Sequence, residues 1–215
     1  MTRGTRPYRS PVREQRAAET RVLVVRTAAD SFEELGWSGT TMTLIAQRAG
    51  VSVKTVHAVG TKAFLLVEAF RTRYVGRGGW ASISEDPVWQ AIYALTDPVE
   101  AVRQLTEWIG RAHRESAKLW YVLRTTALVE PLVRNEYDDL LRYKRESYAL
   151  TARWLLDLGI VPPEEVPPEL MPRFVALVNL TMSAETYAQL VVDYGFSHEE
   201  YLAWVRGAIP YIRPC

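Results

Sequence analysis

The chain has 215 residues, with 26 basic and 25 acidic side chains, a formal net charge of +1 and 48% hydrophobic residues. These values exclude a disordered chain, which needs low hydrophobicity and high net charge, and a collagen-like chain, which needs far more than 12 glycines and 12 prolines. The single cysteine, Cys215, excludes an internal disulfide framework and a thiolate metal site, and it favours a reducing cytoplasm.

The charges are distributed unevenly along the chain. Residues 1–80 carry 13 basic and 6 acidic side chains, whereas residues 81–215 carry 13 basic and 19 acidic ones. A positively charged N-terminal part on a negatively charged body suggests a module that binds anions, and nucleic acid is the usual polyanion. The alternative is a charged surface that contacts only solvent. No apolar run is long enough for a secretory signal or a membrane span, so we expect no membrane association.

Apolar residues recur at helical spacing over most of the sequence and strand patterns are scarce, which predicts an all-α fold. In the first helix we expect Val22, Val25, Ala29 and Phe32 to form the buried face, and Gly36 to end the helix. The predicted helices cover about residues 14–35, 42–49, 52–59, 62–75, 98–114, 117–129, 131–158, 169–194 and 198–209.

A glycine-rich stretch near residues 76–87 separates the short helices from the long ones. It predicts two domains, a basic arm with a DNA-binding module over residues 1–76 and a helical body over residues 77–215. The arm contains five arginines that can reach phosphates or a minor groove, and an arm without contacts is the alternative. These arginines are Arg3, Arg6, Arg9, Arg13 and Arg16.

Residues 42–61 have the plan of a helix-turn-helix, with a short helix, a glycine turn and a second short helix. Ala46 is small where the two helices approach, and Gly50 permits the turn. The second helix presents Val53, Lys54, Thr55 and His57, which combine phosphate-seeking donors with groups that can touch base edges. A plain helical hairpin is the alternative. The buried apolar positions are Ile45, Ala49, Val51, Val56 and Val59.

The stretch from Ala28 to Ser52 (AADSFEELGWSGTTMTLIAQRAGVS), followed by Lys62 and Leu65-Leu66, resembles the N-terminal domain of TetR-family transcriptional regulators. The resemblance covers about residues 20–70. It implies an N-terminal three-helix DNA-binding domain followed by a helical ligand-binding and dimerisation domain. It also implies a homodimer that binds a palindromic double-stranded DNA operator, usually as a repressor, and that a small-molecule effector releases.

Carried over to this chain, the resemblance implies that Thr41 and Lys62 contact phosphate, while Val53, Lys54 and Thr55 face bases and the nearby backbone. The sequence departs from the family after the second helix, where His57 takes the place of the usual Tyr and the link to Lys62 is one residue shorter. The full set of predicted DNA-contact residues is Thr41, Ser52, Val53, Lys54, Thr55, His57 and Lys62.

In the body, His113 lies near tryptophans and could orient a ligand among aromatic rings, although a structural role in an ordinary core is the alternative. The three histidines are too far apart for metal-ligand spacing, and the body has no pair of nucleophile and base. We therefore expect no metal, no cofactor and no enzymatic activity. The candidate ligand-binding residues are Trp108, His113, Trp120, Tyr121 and Arg124.

The last two predicted helices, residues 169–194 and 198–209, are the candidate dimer interface, with burial of the same residues inside one chain as the alternative. Two other functions stay open, a helical small-molecule binding protein that has lost DNA binding and a helical enzyme that uses acidic residues of the body. The candidate interface residues are Phe174, Leu177, Val178, Thr181, Val191, Tyr201 and Val205.

Overall fold

A computed structural model of the chain describes residues 11–76 and 87–214. The described residues form helices with short connections and contain no strand, which confirms the all-α prediction. The helices are α1 (Pro11–Gly39), α2 (Met42–Ala49), α3 (Val53–Val59), α4 (Lys62–Val75), α5 (Pro87–Tyr93), α6 (Pro98–Thr126), α7 (Pro131–Asp157), α8 (Met171–Thr181), α9 (Ala184–Tyr187) and α10 (His198–Ala208).

The arginines at positions 3, 6 and 9, the glycine-rich boundary over residues 77–86, and Cys215 lie outside the described residues. None of the described helices is both long enough and apolar enough to cross a bilayer.

Helix α1 is kinked near its end, where Gly36 adopts a left-handed φ of 65°. Trp37 then folds back and stacks on Phe32, with ring centroids 6.1 Å apart and an interplanar angle of 7°. The buried Thr40 hydroxyl donates to the carbonyls of Ser31 and Gly36 at 3.0 and 2.8 Å, which ties down the chain before α2. The predicted helix end at Gly36 is therefore a kink that directs the chain into the next helix.

The buried face of α1 differs from the predicted one at its first position. Val25, Ala29 and Phe32 are buried as expected, but Val22 is 53% exposed. Val24 and Ala28 are buried instead, because the apolar stripe is centred on the side of α1 that packs against α4, and Val22 lies at the edge of that stripe.

Two hydrophobic cores share the long helix α6. One core contains α1 to α4, the second half of α6, including Leu119 and Leu123, and the first half of α7, including Leu140. The other contains the first half of α6, including Leu105 and Ile109, with α5, α7, α8 and α10. Helix α6 therefore runs from the core of the body into the core of the N-terminal helices.

The break predicted within α6, near residues 115–116, is wrong, because one helix spans Pro98–Thr126. Ser116 is fully buried in it and its hydroxyl donates to the carbonyl of Ala112 at 2.7 Å, so this polar side chain is satisfied within the helix. Helix α5 has no counterpart in the prediction. Its Trp89 and Ile92 pack into the core of the body.

The helix predicted over residues 169–194 is broken after α8. Ser183 caps α9 by accepting a hydrogen bond from the backbone N–H of Thr186. The carbonyl of Met182 accepts a hydrogen bond from the Tyr148 hydroxyl at 2.8 Å. A π-helical segment, Ala188–Asp193, continues the chain to α10, where Ser197 and Glu200 form the predicted capping box.

Most residues of the candidate dimer interface are buried within the single chain. Phe174, Val178, Tyr201 and Val205 are fully or almost fully buried, so their assignment to an interface is wrong and the intramolecular alternative holds for them. Side chains at the helix surface are the ones available to a partner. Those still exposed on α8 and α10 include Leu180 and Trp204.

Candidate DNA interface and interior cavity

Helices α2 and α3 form a compact pair around a sharp turn. Ile45 and Ala46 of α2 and Val56 of α3 are buried against each other and the rest of the N-terminal core. Gly50 has a left-handed φ of 66°, and its N–H donates to the carbonyls of Ala46 and Gln47. The backbone N–H of Val51 also donates to the carbonyl of Ala46, at 3.0 Å. These bonds fix the angle at which α3 leaves α2.

Both helices begin at a hydroxyl cap. The Thr41 side chain accepts from the N–H of Leu44 at 3.0 Å, and the Ser52 side chain accepts from the N–H of Thr55 at 3.0 Å. The hydroxyls of Ser52 and Thr55 also lie 2.8 Å apart. Both caps are exposed, so Thr41 and Ser52 combine a structural role with access from solvent.

Helix α3 presents a short solvent-facing surface. Lys54 and His57 are exposed, and they lie on one side of the helix because they are three residues apart. Val53 and Thr55 are half-buried at its flanks. No ion pair within the described residues engages Lys54, so its ammonium is available to an external anion.

Lys62 lies at the start of α4, and its ammonium is already engaged within the protein. Nζ donates to the carbonyl of Trp37 at 2.7 Å and lies 4.0 Å from the centroid of the Trp37 ring. Burial lowers the pKa of this ammonium below its usual value, an effect that the charge of Glu130 opposes. Lys62 thus fastens α4 to the kinked end of α1, and an ammonium has three donors, so two remain for other acceptors.

Ion pairs reduce the positive charge that the N-terminal helices offer to a partner. Arg48 pairs with Glu34 at 2.8 Å on the surface. The other pairs join α1 to α4 or lie within α4, and they are Arg21–Glu68, Arg71–Glu68, Arg73–Asp30 and Arg73–Glu33. The count of basic residues in the sequence therefore overstates the charge that these helices present.

The short link between α3 and α4 is filled by an aromatic ring from α4. Gly60 caps α3, and a Cβ atom at this position would lie 2.2 Å from Cδ1 of Phe64. The guanidinium of Arg21 lies 5.2 Å from the centroid of the same ring. Phe64 thus occupies the space beside Gly60 and packs the shortened link against α1.

An interior cavity of about 30 Å³ lies among α4, α5, α6, α7 and α9. It has room for about two water molecules. Its walls combine aromatic rings with His113, a lysine and several hydroxyls. The lining residues are Phe70, Tyr74, Trp89, Ile109, His113, Tyr143, Lys144, Ser147, Tyr148, Thr151 and Ala184.

Of the predicted ligand-binding residues, His113 lines this cavity directly. Trp108 lies behind the wall, with its ring 4.6 Å from Trp89, and Trp120 lies against Phe70 at 5.2 Å. Tyr121 and Arg124 are exposed and do not line the cavity. A helix rotates by about 100° per residue, so Tyr121 points outward although its neighbour Trp120 is buried.

His113 is a neutral group within the wall. Burial and the charge of Lys144 lower the pKa of its imidazole to about 3. Its Nδ1 lies 3.2 Å from the hydroxyl of Tyr201, which gives the ring a hydrogen bond on that side. Burial raises the pKa of the phenols of Tyr74 on α4 and Tyr148 on α7.

The sequence interpretation missed Lys144 and Tyr148 of α7. Lys144 stands in a charged stretch of the sequence, but its side chain is only 17% exposed. The charged residues around it pair with each other at the surface, Asp138 with Arg134 at 2.9 Å and Asp139 with Arg142 at 2.7 Å. The helical spacing of Leu140, Lys144 and Tyr148 could have indicated that Lys144 shares the buried face.

The comparisons with known proteins support the fold. A comparison with family models finds no match, and a comparison with curated proteins finds no significant match. Among solved structures, a transcriptional regulator from Rhodococcus sp. Rha1 is 19% identical, with a TM-score of 0.59 over 89% of this chain and 95% of that one. A proposed transcriptional regulator from Saccharomonospora viridis, in complex with choline, is 21% identical, with a TM-score of 0.60 over 89% and 96%. This chain therefore has the fold of those two proteins.

Proposed function

We propose that this chain is a TetR-type transcriptional regulator of the cytoplasm, which binds an operator in double-stranded DNA as a homodimer and responds to a small-molecule effector. The observation that carries the proposal is the α2–α3 unit. It combines a buried helix pair and a glycine turn with an exposed Lys54 and His57 on the second helix. Such a helix suits a major groove, where its side chains reach base edges and phosphates.

The DNA contacts we propose are the seven predicted residues, with different roles. Lys54 and His57 face outward from α3, with Val53 and Thr55 beside them. The exposed start of α2 at Thr41 offers backbone N–H groups to a phosphate, and the hydroxyl of Ser52 lies at the start of α3. Lys62 would add a phosphate contact with the donors that Trp37 does not use.

The proposed route from effector to DNA is helix α4. Its Phe70 and Tyr74 line the cavity, while Lys62 at its other end is bonded to α1. A ligand that enlarges the cavity on the α4 side would displace these rings and thereby shift α4 relative to α6. An effector that binds this shifted arrangement better would lower the affinity for DNA, with a typical coupling of about 1–3 kcal/mol.

DNA binding is tested by fluorescence anisotropy of the purified full chain across a salt series. The probes are a duplex obtained by selection from a random pool and a scrambled duplex of the same composition. We expect selective binding that weakens with salt, and a loss of affinity in Lys54→Met. Lys118→Met removes the same charge from an exposed position on α6 and is the matched control. If selection enriches no sequence and neither duplex binds at low salt, the regulator proposal is wrong.

For the homodimer, we propose α8 and α10 as the interface helices, through side chains that the single chain leaves exposed. Leu180 is 62% exposed and Trp204 is 39% exposed. We expect Leu180→Glu to shift sedimentation velocity from dimer to monomer. Val99→Glu, at an exposed site on α6, should leave the dimer intact. A monomeric wild-type protein at the concentrations that bind DNA would contradict this arrangement.

A further inference from the structure

Lys144 and Tyr148 separate two spaces in the body. On one side is the interior cavity of about 30 Å³, and on the other is an open groove of about 660 Å³ between α7 and the segment of residues 168–179. Both side chains line both spaces. The cavity alone is far below the roughly 300–1,000 Å³ of a ligand pocket, whereas the groove is within that range. Rotation of these two side chains would join the groove to the cavity.

The charge of the cavity wall has one source. Among the residues that line it, Lys144 is the only lysine or arginine; burial lowers the pKa of its ammonium and the charge of Glu185 opposes this effect. His113 is neutral at physiological pH, and the remaining polar groups are hydroxyls and one indole N–H. None of the lining residues is a carboxylate. The wall therefore offers one positive charge surrounded by aromatic rings and hydroxyl groups.

The counter-charge of Lys144 is Glu185, which lies on the groove side and forms a long ion pair with it. Glu185 Oε2 is 3.7 Å from Lys144 Nζ, too long for a hydrogen bond, and this oxygen is buried without a hydrogen-bond partner. The ammonium also lies 3.9 Å from the centroid of the Trp120 ring. A mostly buried ammonium with three donors and one long ion pair has capacity for a further acceptor, and a carboxylate makes the strongest hydrogen bonds with it.

We propose that the effector is a small organic carboxylate, whose charged group pairs with Lys144 at the junction of groove and cavity and whose apolar part lies against the aromatic wall. The identity of this ligand as the effector rests on the proposed function, but its binding site does not. A cationic ligand fits less well. The Trp120 ring and the Glu185 carboxylate are the groups that would attract it, and the Lys144 ammonium already contacts the ring and pairs with the carboxylate. A cation would have to displace this ammonium.

The test is a titration of the full chain followed by intrinsic tryptophan fluorescence, since Trp89 lines the cavity and Trp120 contacts Lys144. The probes are benzoate and hexanoate, their neutral amides benzamide and hexanamide, and choline. We expect at least one carboxylate to bind about tenfold or more tightly than its amide, as the net value of a charge-assisted hydrogen bond suggests.

Three variants test whether the preference for a carboxylate depends on Lys144 and its counter-ion Glu185. Lys144→Met should abolish the preference for the carboxylate over the amide, whereas Lys144→Arg should retain it. Glu185→Gln should tighten carboxylate binding at pH 6, because it removes the competing counter-ion; the same change lowers the pKa of the Lys144 ammonium further, so the effect should decline as the pH rises. Lys118→Met is the control for a change in net charge and should bind like the wild type. Circular dichroism establishes that each variant is folded.

Equal binding of acids and amides, no binding of either carboxylate, or tight choline binding that Glu185→Gln weakens would each overturn the anion site. The DNA assay separates this outcome from the fate of the proposed function. Carboxylate binding that depends on Lys144, in a chain that binds no DNA, would retain the site and remove the regulator. Selective DNA binding in a chain that binds no carboxylate would retain the regulator proposal and remove the anion site.

Discussion

Replacement of Lys62 by methionine tests whether one ammonium serves both the fold and DNA binding. The change removes the hydrogen bond of 2.7 Å to the Trp37 carbonyl and the contact of 4.0 Å with the Trp37 ring, while it keeps a side chain of similar length. A hydrogen bond from a charged donor contributes about 1.5–3 kcal/mol and an exposed cation–π contact about 0.5–1 kcal/mol. Desolvation of the ammonium offsets part of this gain.

We therefore expect a net loss of about 2 kcal/mol in the free energy of unfolding, or a melting temperature about 4–8 °C lower for a chain of this size. Circular dichroism during thermal and urea unfolding measures it. In DNA binding, loss of one phosphate contact lowers the slope of log K against log salt by about 0.9.

Lys54→Met is the matched control, because Lys54 is exposed and has no ion pair with the described residues. It should weaken DNA binding and change the unfolding free energy by less than about 0.5 kcal/mol. Equal melting temperatures for Lys62→Met and Lys54→Met would refute the stabilising role of Lys62. An unchanged salt slope in Lys62→Met would remove it from the phosphate contacts.

Three further predictions concern stability. Folded chains keep His113 neutral down to a pKa of about 3 and unfolded chains protonate it near pH 6.5, so stability should fall with decreasing pH in this window, by up to about 1.4 kcal/mol per unit. Urea unfolding at several pH values measures this slope, and His113→Gln should flatten it. Gly60→Ala places a methyl group 2.2 Å from the Phe64 ring and should cost about 1–3 kcal/mol in urea unfolding, whereas no loss would show that the ring can move. Tyr148→Phe leaves the Met182 carbonyl without its donor and should cost about 1–3 kcal/mol in thermal unfolding; an unchanged midpoint would contradict that bond.

Features that depend on nearby residues were predictable from the sequence. Helices α2 and α3 begin at Thr41 and Ser52 and turn at Gly50, as their capping and glycine chemistry indicates. The capping box at Ser197 and Glu200 is likewise a signal within four residues. In each case the residues that decide the structure are neighbours in the sequence.

Features that depend on distant residues were not predictable. At the break after α8, the Met182 carbonyl accepts a hydrogen bond from the hydroxyl of Tyr148, which lies 34 residues away in the sequence. Likewise, the burial of Lys144 depends on Trp120 and Glu185, which belong to other helices. At the candidate DNA surface, the sequence identified the exposed Lys54 and His57, but the engagement of Lys62 with Trp37 became apparent only in three dimensions.

The 29 residues of α6 also limit how the molecule can be divided. Leu119 and Leu123 in its second half are fully buried in the core of the N-terminal helices, although they follow the glycine-rich boundary by more than 30 residues. A fragment that ends at Gly76 would expose the surface that these leucines cover and should be insoluble or only partly folded. A chimera that grafts the N-terminal helices onto another helical body must therefore transplant the second half of α6 and the first half of α7 with them, or redesign the surface left bare.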